Sequence, residues 1–354
     1  MTNRPIRPLL FPFAIAFLLD FSPSVSAQFL PRDALTRLKF EVRADAEAWG
    51  GQSSTLGFHG RYFNIMAGGN LGNSFSYYFR QRMKPEAGSI AFFDNTDFLY
   101  LNYQPSPRWR LRFGKDAMAL GGFEYDAPPI DEYLTSEYWN NIYCFQLAAS
   151  AAYLFADGRH TLTFQASQSP YLRSLGLNWD DGLWAYNLQW GGALGQHWQV
   201  LWSTSLIERQ RGTYMNLTML GTRVAYQRWS LYLDLMHHAL GWNDWGRNYG
   251  GVLRSDLQLS PSLTLFVKGS CEKNTSKLDL ASPQWLDQLV PAGHTFTKGG
   301  LGCEYRPKGM ETVRLHCYAA LLFDHEYNAQ TWRSFTFNMG ASWGIDFATL
   351  IHKE

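Results

Sequence analysis

Arg37-Leu38-Lys39-Phe40-Glu41-Val42-Arg43-Ala44-Asp45-Ala46-Glu47-Ala48-Trp49 alternates without a break. Leu38, Phe40, Val42, Ala44, Ala46 and Ala48 share one face, and six charged residues share the other. A period of two is the signature of a β-strand with two unlike faces. The same pattern recurs along the chain. It predicts sixteen strands, at 37–49, 57–68, 74–82, 98–104, 108–114, 143–155, 160–168, 183–191, 197–207, 213–226, 229–238, 248–259, 262–271, 294–305, 312–323 and 334–347. No stretch with helical periodicity and caps competes with them, and no linker divides the chain.

Two further patterns choose among all-β folds. Connections after even-numbered segments are mostly tight, as at Gln227-Arg228 and Ser260-Pro261. Those after odd-numbered segments are often long, as at 83–97, 115–142, 169–182 and 272–293. Transmembrane barrels have short periplasmic turns and longer outer loops. Charge is sorted as well. Of twenty-one charged residues within the segments, twenty lie opposite the more apolar face, and Arg61 is the exception. A Lys or Arg facing lipid at the bilayer midplane costs about 2–4 kcal/mol. In the last segment Thr336, Asn338, Ser342 and Asp346 alternate with Phe335, Phe337, Met339, Trp343 and Ile345. A soluble sandwich would bury the second row; an inside-out barrel turns it to lipid and lines water with the first. Backbone groups in hydrocarbon must all be paired, so the sheet has to close. The expected fold is a closed 16-stranded antiparallel transmembrane β-barrel, wide enough for an aqueous channel.

Composition agrees. Of 354 residues, 46% are apolar, 16% aromatic and only 17% charged, against roughly 25% charged in ordinary soluble chains. Mean hydropathy is nevertheless −0.26, because polar residues are interleaved with apolar ones. This excludes intrinsic disorder, and a formal net charge of +1 gives no reason to propose nucleic acid as a partner. The one long apolar run, Leu9 to Leu19, follows Arg4 and Arg7 and precedes Ser22-Pro23-Ser24-Val25-Ser26-Ala27. That is the layout of a secretory signal peptide, and eleven residues are too few to span a bilayer as a helix. Residues 1–27 are therefore expected to be removed, leaving 28–354 as one barrel domain exported to the bacterial outer membrane.

Several phrases between Gly57 and Asn141 resemble a known group. They are Gly60-Arg61-Tyr62-Phe63-Asn64, Phe75-Ser76-Tyr77-Tyr78-Phe79-Arg80-Gln81-Arg82, Leu111-Arg112-Phe113-Gly114-Lys115 and Gly121-Gly122-Phe123-Glu124-Tyr125-Asp126. In order and spacing they resemble outer-membrane porins related to the phosphate-selective porins O and P, especially their Bacteroides-type relatives. The resemblance implies a homotrimeric passive channel whose third outer loop folds into the barrel and narrows it. That loop is the longest connection, 115–142. It carries Glu124, Asp126, Asp131, Glu132 and Glu137, while the adjoining wall is basic, with Arg80, Arg82, Arg108, Arg110 and Arg112. Residues two apart on a strand point the same way, so the last three arginines are expected to form a ladder along the lumen. An acidic loop opposing a basic wall would set a transverse field across the constriction. The same arginines could instead simply pin the loop. The expected function is that of an outer-membrane porin, a passive diffusion channel for small hydrophilic solutes and ions, embedded in outer-membrane lipid. The alternative is an anion- or phosphate-selective porin with an arginine-lined site, against which the loop carboxylates count.

Other chemistry is weakly represented. Glu124 and Asp126 could imitate a catalytic carboxylate pair, but no nucleophile or base partner accompanies them, so no enzyme is expected. No cofactor or metal spacing is present. His237 and His238 are adjacent on a strand and face opposite sides. Cys271, Cys303 and Cys317 share parity with apolar neighbours and read as small lipid-facing residues. Trp198, Trp202, Trp229 and Trp343 are candidates for interfacial aromatic girdles. A secreted soluble β protein that binds or hydrolyses carbohydrate is the remaining rival.

Overall fold

The computed structural model describes residues 33–51, 55–83, 95–171, 182–239, 245–275, 289–310, 312–326 and 331–348. The expected signal peptide, 1–27, lies outside them. Sixteen strands form a closed antiparallel barrel in which each pairs with its neighbours in sequence and the first with the last. They are β1 (Arg37–Gly50), β2 (Thr55–Asn70), β3 (Phe75–Arg82), β4 (Thr96–Ser106), β5 (Trp109–Ala117), β6 (Phe145–Leu154), β7 (His160–Gln168), β8 (Trp184–Leu194), β9 (Trp198–Gln210), β10 (Thr213–Tyr226), β11 (Trp229–Ala239), β12 (Asn248–Ser260), β13 (Leu263–Asn274), β14 (His294–Tyr305), β15 (Val313–Glu326) and β16 (Thr331–Asp346). All sixteen expected segments are present, with ends differing by a few residues.

Closure runs through the stretch that decided the fold. Twelve consecutive residues of β1 pair with β16, from Lys39 opposite Asp346 to Gly50 opposite Phe335. The closed ladder leaves no edge to hydrocarbon, as the lipid environment requires. Its outer face is apolar: Leu101, Phe113, Phe164, Leu188, Leu253, Val267 and Leu301 all stand exposed. Its inner face carries the charge, with Arg43, Asp45, Arg80, Asp234, Arg254, Lys268 and Glu304 all buried inside the barrel.

Arg61, the one charge on the wrong face by parity, sits at a β-bulge. In the β1–β2 ladder Arg43 pairs with Tyr62 and the next residue, Ala44, with Gly60, so Arg61 is the extra residue. A bulge shifts the alternation by one position. On one side of it the even residues Leu56 and Phe58 face outward; on the other the odd residue Phe63 does, while Asn64 and Met66 are buried inside. Arg61 itself turns inward and pairs with Asp45 and Glu47. The lumen therefore takes this charge as well.

The barrel also orders its aromatic residues by depth. Trp109, Trp198 and Trp229 each open a strand at the short-turn end, and Trp343 lies near that end of β16. Trp202 sits one layer deeper, edge-on to Trp190. Trp49, Trp184, Tyr214 and Tyr249 mark the long-loop end. On β10, Tyr214 and Tyr226 delimit a span of twelve residues. At about 3.4 Å per residue and a tilt near 40°, that is roughly 30 Å of height, close to the ~25 Å apolar band of such barrels.

Depth should therefore set the cost of a misplaced charge. Val267→Arg at mid-strand is expected to lower the unfolding free energy by about 2–4 kcal/mol in urea titrations of lipid-reconstituted protein, and Leu259→Arg beside a short turn by about 0–1. Equal costs at the two positions would contradict the assigned lipid face.

Candidate functional site

The 27 residues between β5 and β6, 118–144, bond to strands almost all the way round the barrel. A segment that touches β1, β7, β9, β11, β13 and β15 has room to do so only within the lumen. It begins as irregular backbone laid against the wall. Ala119 N–H donates to Gln165 Oε1 on β7, Gly121 N–H to Ser203 Oγ on β9, and Gly122 N–H to the Leu201 carbonyl. Glycine is required at both positions. A Cβ on residue 121 would lie 2.6–2.7 Å from the carbonyls of Met219 and Leu201, and residue 122 has φ of +91°. A helical turn, Phe123–Asp126, follows, and its free N–H groups need acceptors. Asp234 of β11 supplies them: its two carboxylate oxygens accept from Phe123 and Glu124 N–H at 2.8 Å each. The negative group also suits the positive end of the turn.

Lys268 of β13 is the next anchor. It is 1% exposed and its Nζ lies 2.7 Å from both Glu124 Oε1 and Glu132 Oε2. Glu124 also accepts from Ser136 N–H at 3.0 Å, tying the two ends of the loop's middle together. Glu132 has Arg254 of β12 at 3.6 Å. Asp131 pairs with Arg314 of β15, and Glu137 with Lys298 of β14. Arg43 of β1 donates to the carbonyls of Ile130 and Glu132, and its guanidinium lies 4.6 Å from the centre of the Tyr133 ring. That ring stacks on Phe266 of β13 at 5.3 Å. A second helical turn, Glu137–Asn141, is capped by Ser136, whose Oγ accepts from Trp139 N–H. There Tyr138 N–H meets Glu272 and the Tyr138 hydroxyl meets His238 Nδ1 at 2.8 Å. Burial raises the Tyr138 pKa far above its usual range, so the phenol is neutral at any physiological pH.

Between these polar anchors lies an apolar cluster inside the barrel. Met118, Leu120, Tyr138 and Ile142 of the loop pack on Leu217, Met219, Met236 and Val252 of β10–β12. The lumen is therefore divided. The β9–β15 side is filled by the loop, and a cavity of about 950 Å³ remains on the β3–β8 side. The cavity is lined by Arg80, Arg82, Arg110, Arg112 and Lys115 on the basic side and by Asp97, Asp116 and Asp126 on the acidic side. Five positive charges against three negative leave two in excess.

The sequence-derived site residues are distributed differently from expectation. Arg108 is not part of a ladder: it lies in the exposed turn before β5, and only Arg110 and Arg112 of the three line the cavity. Arg80 and Arg82 both bond Asp97, at 3.0 and 2.9 Å, and Arg112 bonds Asp116 at 2.7 Å. Arg80 and Arg112 also lie over Phe98 and Tyr100, at 4.4 and 4.1 Å from the ring centres. Among the described residues Arg110 makes no hydrogen bond or ion pair. The acidic loop residues do not oppose this wall as a group. Glu124, Asp131, Glu132 and Glu137 are turned to cations of β12–β15, and only Asp126 lines the cavity. Burial against the surrounding wall raises the Asp126 pKa from its ordinary value, and Arg223 opposes that rise. Cys144, at the cavity's edge beside Tyr125, is pushed up to about 11 by burial, so it stays an unreactive thiol.

Asp234, Arg254, Lys268, Lys298 and Arg314 carry the anchoring that the sequence reading assigned to the β3–β5 arginines. Their position on the charged face is evident from alternation. Nothing in the one-dimensional pattern says which wall the loop will lean against. The pair Gly121-Gly122 was the available hint, since adjacent glycines mark close backbone approach. Among the described residues no cluster of His, Cys, Asp and Glu is arranged to hold a metal ion.

Residues 37–181 match the family model for phosphate-selective porin O and P, a span that contains every phrase on which the sequence resemblance rests. A search of curated proteins found no match. Among solved structures, the chain is similar to the outer membrane channel DcaP of Acinetobacter baumannii, with a TM-score of 0.61 and 11% identity over 87% of this chain and 96% of that one. It is also similar to an anion-selective porin from Comamonas acidovorans, at 0.60 and 10% over 87% and 98%. A trimer form of the outer membrane protein OmpT of Vibrio cholerae gives 0.56 and 10% over 88% and 100%.

Removing one partner of a buried ion pair typically costs 3–5 kcal/mol. Lys268→Met would leave Glu124 without its cation and Glu132 with Arg254 alone. We expect single-channel recordings of this variant to show larger and unsteady conductance, and the added changes Glu124→Gln and Glu132→Gln to restore a steady level. A Lys268→Met channel with unaltered current would show that Lys268 does not hold the loop.

Proposed function

We propose that this chain is an outer-membrane porin, a passive channel for small hydrophilic solutes and ions whose narrowest part favours anions. The observation that carries the preference is the separation of charge within the lumen. Four of the five loop carboxylates are matched by cations on the far wall, so they contribute little field to the open side. What remains around the cavity is an excess of positive charge, with Arg110 free to meet a solute. Charged side chains lining a pore select and orient what passes.

The aqueous path runs between the β3–β5 wall and the inner face of the loop. A solute there meets guanidinium groups that lie over Phe98 and Tyr100 on one side. Beside them β7 and β8 add Thr161, Thr163 and Gln189 to the lining. That mixture suits polar solutes in a cavity of about 950 Å³. The match to a phosphate-selective family and the likeness to an anion-selective porin point the same way. A dedicated phosphate clamp finds less support. It needs several unpaired donors converging on one point, whereas Arg80, Arg82 and Arg112 already hold carboxylates and Arg108 lies elsewhere. The protein acts as a homotrimer in this reading, in line with the trimer form of a similar barrel. It is a channel rather than an enzyme: Glu124 is tied to Lys268 and Ser136, which leaves no carboxylate pair for acid–base work.

Two unit charges 5 Å apart in water interact by about 0.8 kcal/mol, a factor of roughly four in an equilibrium ratio. Arg110→Ala is therefore expected to lower the chloride-to-potassium permeability ratio roughly sixteenfold, about fourfold from each ion because the lost charge attracts one and repels the other, read from reversal potentials across a planar bilayer under a salt gradient. Arg108→Ala should leave the ratio unchanged. An unaltered ratio in Arg110→Ala would overturn the proposed anion preference at the cavity.

A further inference from the structure

Cys303 and Cys317 stand directly opposite each other in the β14–β15 ladder. Their Sγ atoms are 3.3 Å apart, and both cysteines are free thiols. Both are half-buried on the outward face. Cys303 shares parity with Leu301 and Tyr305, and Cys317 with Leu315 and Leu321. The other two cysteines are placed differently. Cys271 pairs with Gly251 and Thr297 across its neighbouring strands, and Cys144 lies at the cavity's edge.

We propose that Cys303 and Cys317 form an oxidation site that closes to a cross-strand disulfide when an external disulfide is supplied. Directly opposed residues of antiparallel strands have Cβ atoms about 4.5–5.5 Å apart, near the 3.5–4.5 Å that a disulfide needs. A small approach of the strands and rotation about the Cα–Cβ bonds therefore suffices to bring the sulfurs to about 2.05 Å. The chemistry is thiol–disulfide exchange. One protein thiol loses its proton and its sulfur attacks the external disulfide, forming a mixed disulfide and releasing one thiolate. The second protein sulfur, likewise deprotonated, then attacks the first and releases the other thiolate. Both leaving thiolates take up the two protons, so the protein loses two thiols and the external disulfide is reduced to two.

The position has a structural rationale as well. The pair lies two residues from the end of β14, beside the connection 306–312, the longest on the short-turn side. Closing a longer connection costs more chain entropy, so a covalent link there would fix the hairpin where its turn constrains it least. An exported chain passes through a compartment where disulfides form and persist.

The test counts thiols in the full-length protein with Cys144→Ser and Cys271→Ser, which leaves only the proposed pair. Protein extracted from membranes is unfolded without reductant and titrated with a maleimide, before and after incubation of the folded barrel with oxidised glutathione. No titratable thiol at the outset, with two appearing after reduction, supports a closed resting form. Two thiols at the outset that disappear together on oxidation, with no glutathione mass added to the protein, also support the site and make its resting form the dithiol, whereas bound glutathione on both sulfurs overturns it. Two thiols that persist after oxidation overturn the proposal, as does a disulfide-linked dimer on a non-reducing gel. With Cys303→Ser added, one thiol must titrate before oxidation, and any loss of it on oxidation must appear as added glutathione mass, because a lone thiol stops at the mixed disulfide.

Discussion

The barrel depends on one constraint: a backbone amide in hydrocarbon has no water to turn to. Sixteen strands meet it by pairing in a ring, and β1 completes the ring against β16 through twelve residue pairs. Once the ring is closed, the side chains have only two places to go. The outer face takes leucine, valine and phenylalanine because lipid accepts nothing costlier, and charge at mid-strand depth is forced into the lumen. Lys273 and Arg333, on the outward parity, sit at strand ends. Even the bulge at Arg61 obeys this division. The extra residue shifts the alternation of β2 so that the arginine reaches Asp45 and Glu47 instead of lipid.

A lumen crowded with charge must then satisfy that charge internally, and the inward segment 118–144 does so. Its carboxylates meet Lys268, Arg254, Lys298 and Arg314, and its free N–H groups meet Asp234. The apolar side chains of the same segment build a small core against β10–β12. The result is a soluble-protein interior inside a membrane barrel, with a polar rim on the loop's far side and open water on the other. Narrowing the pore and fixing its electrostatics are thus one event. The loop's position decides which charges are neutralised and which remain to face a solute.

The strands were legible because each is a local, repeated pattern with a large energetic stake. Twenty charges lie opposite the apolar face of their segments, and reversing one near the bilayer midplane costs several times RT. The alternation of short and long connections gave the orientation of the hairpins. Chemistry at the constriction was less legible. Arg108 looks like part of a ladder in sequence, yet the turn before β5 claims it. Glu124, Glu132 and Glu137 look like charges awaiting a solute, although each is committed to a cation more than a hundred residues away. Asp234 and Lys268, which hold the loop, carry no local mark that separates them from other inward-facing charges.

Alternation, loop lengths and charge placement in the sequence determined the strand count, the closed barrel and its lipid-facing side, since all follow from a period of two and from the insolubility of charge in hydrocarbon. The arrangement of charge within the lumen was decided only by the tertiary structure. Ion pairing depends on distances of a few ångströms between residues brought together by closure, and no spacing along the chain encodes them. That is why, among the described residues, the β3–β5 wall keeps an arginine without an ion pair while the acidic loop, its expected counterpart, is held by the opposite side of the barrel.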